Sequence, residues 1–273
     1  MVAIDVISAI LVAADQGWVI MTLVQDAGRS RQRWGKIAVV VVAVMLAIPI
    51  FSPIIFRTFL FQPFYIPARS MMPTLLEGDS LFVSKYAYGY SRYSLPFSPR
   101  LFSGRIFGLV PERGDVIVFR IPKDDSVDYI KRVVGLPGDT VQLQQGLLFI
   151  NGVPVVRQRL SDLEGGEPCG SGDGNQTRRW RETLLNGVSY ETLDCVDNGF
   201  YDNTNVYKVP AGHIFVLGDN RDNSTDSRVL SAVGYIPLQN IVGRAGLIYF
   251  SRAPGSGEEP SIVRSERIGM LVH

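Results

Sequence analysis

Three stretches of this chain carry side chains whose types and spacing can do chemistry. In YIPARSMMPTLLEGD, residues 65–79, Ser70 sits in an apolar stretch bracketed by Pro67 and Pro73. The two prolines discourage helix and fix the local backbone. A serine hydroxyl is a weak nucleophile until a base takes its proton. In DYIKRVVGLPGD, residues 128–139, Lys131 falls inside an apolar strand pattern. Side chains alternate along a strand, so Tyr129, Lys131 and Val133 share one face. An ammonium among apolar groups tends to lose its proton, and a neutral lysine is a competent general base. In GDNRDNSTDSR, residues 218–228, eleven residues without an aliphatic side chain follow the apolar run HIFVL. Ser224, Asp226 and Arg228 can orient other groups there by hydrogen bonds and an ion pair. Each stretch alone also has a plainer reading: an incidental serine, an edge-strand lysine that discourages aggregation, and a solvated loop.

Other chemistries find less support. The chain has two histidines, His213 and His273, so a Ser-His-Asp triad would rest on His213 alone. No paired close spacing of Cys and His suggests a zinc site. The formal net charge of +1 among 273 residues gives no basic footprint for nucleic acid. Cys169 and Cys195 fit a disulfide if their half of the chain is extracytoplasmic; otherwise they are two free thiols.

The elements that must position these residues are of two kinds. Ile37 to Phe56 reads IAVVVVAVMLAIPIFSPIIF, 20 residues without a charge, long enough to cross a bilayer's hydrocarbon core. Pro49 and Pro53 can kink it, which membrane helices tolerate. Its apolar core is too long, and begins too far into the chain, for a cleaved signal peptide. Arg29, Arg31, Arg33 and Lys36 precede the span and only Arg57 follows closely. The positive-inside rule then makes residues 1–36 a cytoplasmic segment, 37–57 a transmembrane helix and 58–273 an extracytoplasmic domain. Val6–Val24 is apolar but interrupted by Asp15, Gln16 and Gly17, and is read as an interfacial helix or a weak extra span.

From Ser80 onward short apolar runs alternate with turn signals, which predicts a mainly β domain. Gln145-Gly146 and Asn151-Gly152 have the composition of tight hairpin turns. Residues 161–204 are polar and Gly-rich and read as an inserted surface region. The tail after Ala253 opens with a flexible linker and reads as a frayed terminus or a membrane-surface contact.

Taken together, the motifs SMMPTLLEGD, PERGDVIVF, DYIKRVVGLPGD and GDNRDNSTDSR resemble the successive boxes of bacterial type I signal peptidases. The likeness extends over most of residues 57–251 and is weakest across 161–204. It implies a mainly β, signal-peptidase-like catalytic domain behind an N-terminal transmembrane helix, with a hydrophobic surface dipping toward the bilayer. It implies a membrane-bound endopeptidase that removes signal peptides from exported preproteins, cutting after small residues. On that pattern Ser70 is the nucleophile, Lys131 the general base, Ser224 the serine that orients the lysine, and Asp226 and Arg228 its support. Tyr129 desolvates Lys131. Ile66, Pro67, Val133 and Val134 are candidates to line the substrate pockets. Met71–Leu76, with Phe97, Leu101, Phe102, Ile106 and Phe107, are candidates for membrane contact, or for ordinary core. The resemblance requires no metal or cofactor. Its partners are preproteins, membrane lipid and, indirectly, the secretion machinery, and its place is the cytoplasmic (inner) membrane, with the catalytic domain on the periplasmic side.

One departure stands out. The family commonly has Ser-Gly-Ser, or Thr in the first position, where this chain has Ala68-Arg69-Ser70. The first hydroxyl helps form the family's oxyanion hole, and Ala68 has none. Losing one such donor costs about 10²-fold or more in rate. The alternative function is therefore a catalytically weak membrane-anchored homologue that binds preproteins or partners. A cytosolic self-cleaving repressor is disfavoured by the span and by the lack of a DNA-binding helix pair. A penicillin-binding protein would need S-x-x-K, which no lysine here satisfies.

Overall fold

The computed structural model describes residues 36–95, 98–100, 102–162, 177–255 and 261–273. The expectations for Val6–Val24, for Arg29, Arg31 and Arg33, and for Phe97, Leu101 and Cys169 lie outside these residues. Met1–Ile55 and Phe56–His273 are two compact units.

An apolar helix, α1, runs over Lys36–Leu60, 25 residues, with its most apolar stretch unburied. It is three residues longer than the sequence suggested at its far end and runs on through both prolines. Pro53 has no N–H to offer the carbonyl of Pro49, four residues back. The helix then widens to π geometry over Phe56–Leu60.

The second unit is mainly β, as expected. Its strands begin with β1 (Phe61–Tyr65), β2 (Asp79–Ser84), β3 (Val116–Ile121), β4 (Asp124–Gly135) and β5 (Thr140–Gln144). They continue with β6 (Leu147–Ile150), β7 (Val153–Pro154), β8 (Val156–Arg159), β9 (Arg178–Thr183) and β10 (Ser189–Asp194). The last are β11 (Tyr207–Lys208), β12 (His213–Leu217), β13 (Ile236–Pro237), β14 (Ile241–Ala253) and β15 (Ile262–Val263). The largest sheet has the order β1-β2-β14-β3-β4-β12-β13, with β15 added to β14. A second sheet is β11-β5-β6-β7 and a third is β10-β9-β8.

The strand that carries Lys131 lies inside the large sheet. Lys131 of β4 is opposite Ile117 of β3, and Val133 is opposite Val216 of β12. Both neighbours are fully buried, so β4 is covered where the lysine sits. The edge-strand reading of Lys131 is thereby excluded.

Local signals fared well where they depended on backbone conformation. Gln145 and Gly146 have φ of 50° and 73°, Asn151 and Gly152 of 54° and 76°. Two consecutive positive φ values make the I′ geometry that matches strand twist, and the turns close β5–β6 and β6–β7.

Three expectations change. Residues 177–204 are more than a surface insertion: β9 and β10 lie there, with Leu184 and Tyr190 in a buried cluster with Val134 and Phe215. The polarity of the stretch hid this, because its buried acids Glu182 and Asp194 are paired with arginines, Arg157 and Arg221 from outside the stretch and Arg178 within it. Met71 and Leu75 are 1% and 0% exposed and belong to the core, not to a membrane face. Ile106 and Phe107 remain exposed. Residues 261–273 of the tail are packed down: Val272 is buried in the same cluster as Met71 and Leu75, and Leu271 bridges Leu247.

Candidate active site

Ser70 opens a tight turn a few residues after β1. Met72 N–H donates to Arg69 O at 3.1 Å and Leu75 N–H to Met71 O at 2.9 Å. The apolar Met71 and Leu75 pull this turn into the core, which leaves Ser70 at its rim. The box 218–228 lies against it: Asn220 N–H donates to Ser70 O at 3.1 Å, and Asn220 Nδ2 to Arg69 O at 3.1 Å. Gly218 permits this approach. A Cβ there would lie 2.2 Å from Ser224 Oγ and 2.6 Å from Ser70 O.

Lys131 Nζ lies 2.7 Å from Ser70 Oγ and donates to Ile130 O at 2.8 Å. The residue is 4% exposed. Burial lowers its pKa from 10.5 to about 8, against the opposing pull of the Asp226 and Asp219 charges. The Tyr129 ring faces the amine, 5.3 Å from centroid to Nζ, and Phe119 packs edge-on against that ring. A lysine with pKa near 8 is neutral for a useful fraction of the time near neutral pH, as a general base requires.

The other three predicted residues form one buried cluster. Asp226 accepts from Ser224 Oγ at 2.9 Å, from Arg228 Nε at 2.9 Å and Nη2 at 2.8 Å, and from Gly218 N–H at 3.1 Å. Burial would raise the Asp226 carboxyl, but Arg228 and these hydrogen bonds outweigh it and hold it below the usual carboxylate range. Ser224, expected to orient the lysine, makes no direct hydrogen bond to it among the described residues. Ser224 Oγ is turned to Asp226, and the lysine is held by Ile130 O instead.

A cleft of about 400 Å³ opens over Ser70 and Lys131, walled by Ile66, Pro67, Ala68, Tyr129, Asn223 and Thr225 among others. Two of the predicted pocket residues, Ile66 and Pro67, are there. Val133 and Val134 are not: both are 0% exposed and packed in core clusters. Past Lys131 the strand has neighbours on both faces, so alternation no longer brings a side chain to the cleft. Among the described residues no group of three or more His, Cys, Asp and Glu is placed to hold a metal ion.

Residues 31–250 match the family model described as signal peptidase, peptidase S26. A signal peptidase I of Rickettsia typhi (strain ATCC VR-144 / Wilmington) is 43% identical over 206 residues, 72% of this chain and 75% of its own. Signal peptidase I of Rickettsia conorii (strain ATCC VR-613 / Malish 7) is 40% identical over 230 residues, 81% of this chain and 80% of its own. The chain belongs to the signal peptidase family. It is a serine endopeptidase that acts on preproteins bearing signal peptides. A solved signal peptidase I from Enterococcus faecalis V583 is 27% identical, covering 50% of this chain and 97% of its own; its TM-score of 0.29 adds nothing to the fold.

Sequence reasoning on this signal peptidase missed the residues that fasten the two halves of the site. Arg132, beside Lys131, points the opposite way and pairs with Asp219. Thr74 Oγ1 donates to the same carboxylate at 2.5 Å. The alternation that put Lys131 on the cleft face was the available signal, since it puts Arg132 on the other face. The 177–204 stretch supports the box from behind. Leu193 N–H donates to Asp219 O at 2.8 Å, Arg221 N–H to Leu193 O at 2.9 Å, and Arg221 pairs with buried Glu182. Cys195 in this stretch is disulfide-bonded.

Proposed function

We propose that this protein removes signal peptides by a Ser70–Lys131 dyad, anchored in a membrane by α1 and working on the extracytoplasmic side. The observation that carries this reading is the buried Lys131 amine 2.7 Å from the Ser70 hydroxyl, with its pKa lowered to about 8. Neutral Lys131 takes the Ser70 proton as Oγ attacks the scissile carbonyl. The lysine then gives that proton to the departing amine, and the acyl-enzyme remains. Lys131 next takes a proton from water as the water attacks the ester, and returns it to Ser70 Oγ as the tetrahedral intermediate collapses to the free acid and Ser70.

The tetrahedral oxyanion needs donors. Ser70 N–H donates to no protein acceptor among the described residues, which suits it to that role. Ala68 offers no hydroxyl beside it. The cleft walls of Ile66, Pro67 and Ala68 suit small apolar side chains around the cut. Asp226, fixed by Arg228, supplies negative charge that limits the fall in the Lys131 pKa; Ser224 completes its shell.

Cleavage of a preprotein by the purified chain in detergent tests the dyad. Wild type should cut, whereas Ser70→Ala and Lys131→Ala should be inert. Full activity in Lys131→Ala would remove the base from the mechanism. Orientation is tested separately with protease added outside intact spheroplasts. Digestion of the domain after Arg57 is expected; protection would reverse the topology.

A further inference from the structure

The segment that follows Ser70 is held from an unexpected direction. Residues 261–273 lie beyond the stretch matched by the family model, which ends at 250. They return along β14: Gly269 N–H donates to Ile248 O at 2.8 Å, Ile248 N–H to Met270 O at 2.9 Å, and Val272 N–H to Gly246 O at 2.9 Å. This path brings two arginines onto the 74–79 segment. Arg267 Nη2 donates to Thr74 O at 2.9 Å and to Asp79 Oδ2 at 2.6 Å, and its Nε to Asp79 Oδ1 at 3.1 Å. Arg264 Nη2 donates to Glu77 O at 2.6 Å.

Asp79 is 0% exposed and accepts at both ends of the clamp. It takes Leu76 N–H at 2.8 Å and Ser251 Oγ at 2.6 Å as well as Arg267. Thr74 is therefore gripped twice, by Arg267 at its carbonyl and by Asp219 at its hydroxyl. Below it Val272 packs in one cluster with Met71 and Leu75, the two residues that seat the Ser70 turn. Finally, Arg132 Nη1 donates to His273 O at 2.9 Å, so the same tail touches the strand of Lys131.

We propose that Arg267, carried by the 261–273 segment, is a positioning residue for Ser70. It sets the turn that holds the nucleophile relative to the strand that holds the base. Thr74 is only four positions past Ser70, and Met71 and Leu75 are fully packed, so displacement at Thr74 passes to Ser70 through a short, stiff turn. A dyad is sensitive to such displacement, because proton transfer and attack share one Ser70 oxygen. The inference rests on Ser70 and Lys131 being the dyad.

The test uses the full chain in detergent with a preprotein substrate. Arg267→Ala should lower kcat by about tenfold or more, the scale expected when a reacting atom is misplaced by a fraction of an ångström. KM should stay within about twofold, since the cleft walls are untouched. Arg267→Lys keeps the charge on Asp79 but cannot serve both Asp79 oxygens and Thr74 O, so it should recover only part of kcat. Melting curves run alongside report the folded fraction. Wild-type kcat in Arg267→Ala, or a kcat loss equal to a loss of folded protein, overturns the proposal. Should Arg267→Ala not fold, wild-type kcat in Arg267→Lys overturns it. Ser70→Ala in the same assay separates the two readings: if Ser70→Ala cuts, the dyad fails; if it is inert while Arg267→Ala is unaffected, only the positioning role fails.

Discussion

Arg132 and Asp219 form a doubly hydrogen-bonded ion pair, Nε to Oδ1 at 2.8 Å and Nη2 to Oδ2 at 2.7 Å, with side chains 0% and 1% exposed. The pair joins β4 to the box that follows β12, one residue from Lys131. Removing one partner strands a buried charge, which costs about 3–5 kcal/mol. Asp219→Asn should therefore lower the melting midpoint clearly, and kcat should fall because one amide oxygen cannot serve both Arg132 and Thr74 as the carboxylate does. An unchanged midpoint would mean that the pair does not hold the site together.

The pH–rate profile should report Lys131. Its pKa is lowered by burial to about 8, and only the neutral amine can accept the Ser70 proton. kcat/KM should rise with pH and level off above about 8. Below that the slope should approach tenfold per pH unit. A profile flat from pH 6 to 9 would exclude a lysine base.

The same burial has a stability consequence of definite sign. The Lys131 pKa is lower folded than unfolded, so between 10.5 and about 8 the unfolded chain binds the extra proton. Stability falls with decreasing pH through that window, and below it the folded state carries the full penalty, of order 3 kcal/mol. Lys131→Met replaces the amine with an apolar side chain of similar length. At pH 6 the inactive variant should melt higher than wild type, and the gap should close toward pH 10. Equal midpoints at pH 6 would contradict it.

Gly218→Ala tests the contact between the box and the nucleophile turn. The added methyl would meet Ser224 Oγ and Ser70 O well inside contact distance, and one of them must move. A fall in kcat of about 10²-fold is expected, the scale of an ångström-sized misplacement. Retained activity would show that the turn can shift without harm.

Ala68→Ser restores the hydroxyl that the family commonly has two residues before the nucleophile. If the oxyanion is held by Ser70 N–H with too little help, kcat should rise severalfold; one such donor is worth about 10²-fold or more where it is well aimed. KM should change little. A fall in kcat would show that another donor already fills the place.

The sequence by itself marked out the candidate residues: a serine between prolines, a lysine in an apolar strand, and a polar box with Ser224, Asp226 and Arg228. It determined the apolar helix, the mainly β class and the two I′ hairpins as well, because length, alternation and turn residues act locally. What only the tertiary structure decided was pairing across long separations. Ser70 and Lys131 are 61 positions apart, and no periodicity predicts that their side chains meet at 2.7 Å. Val133 and Val134 obey the strand pattern yet face core, because neighbouring strands cover them. Arg267 reads as a surface charge in a tail until Asp79, 188 positions away, is seen buried beneath it. A charge's role depends on which opposite charge folding brings to it, and that is a property of the packed sheet, not of any window of sequence.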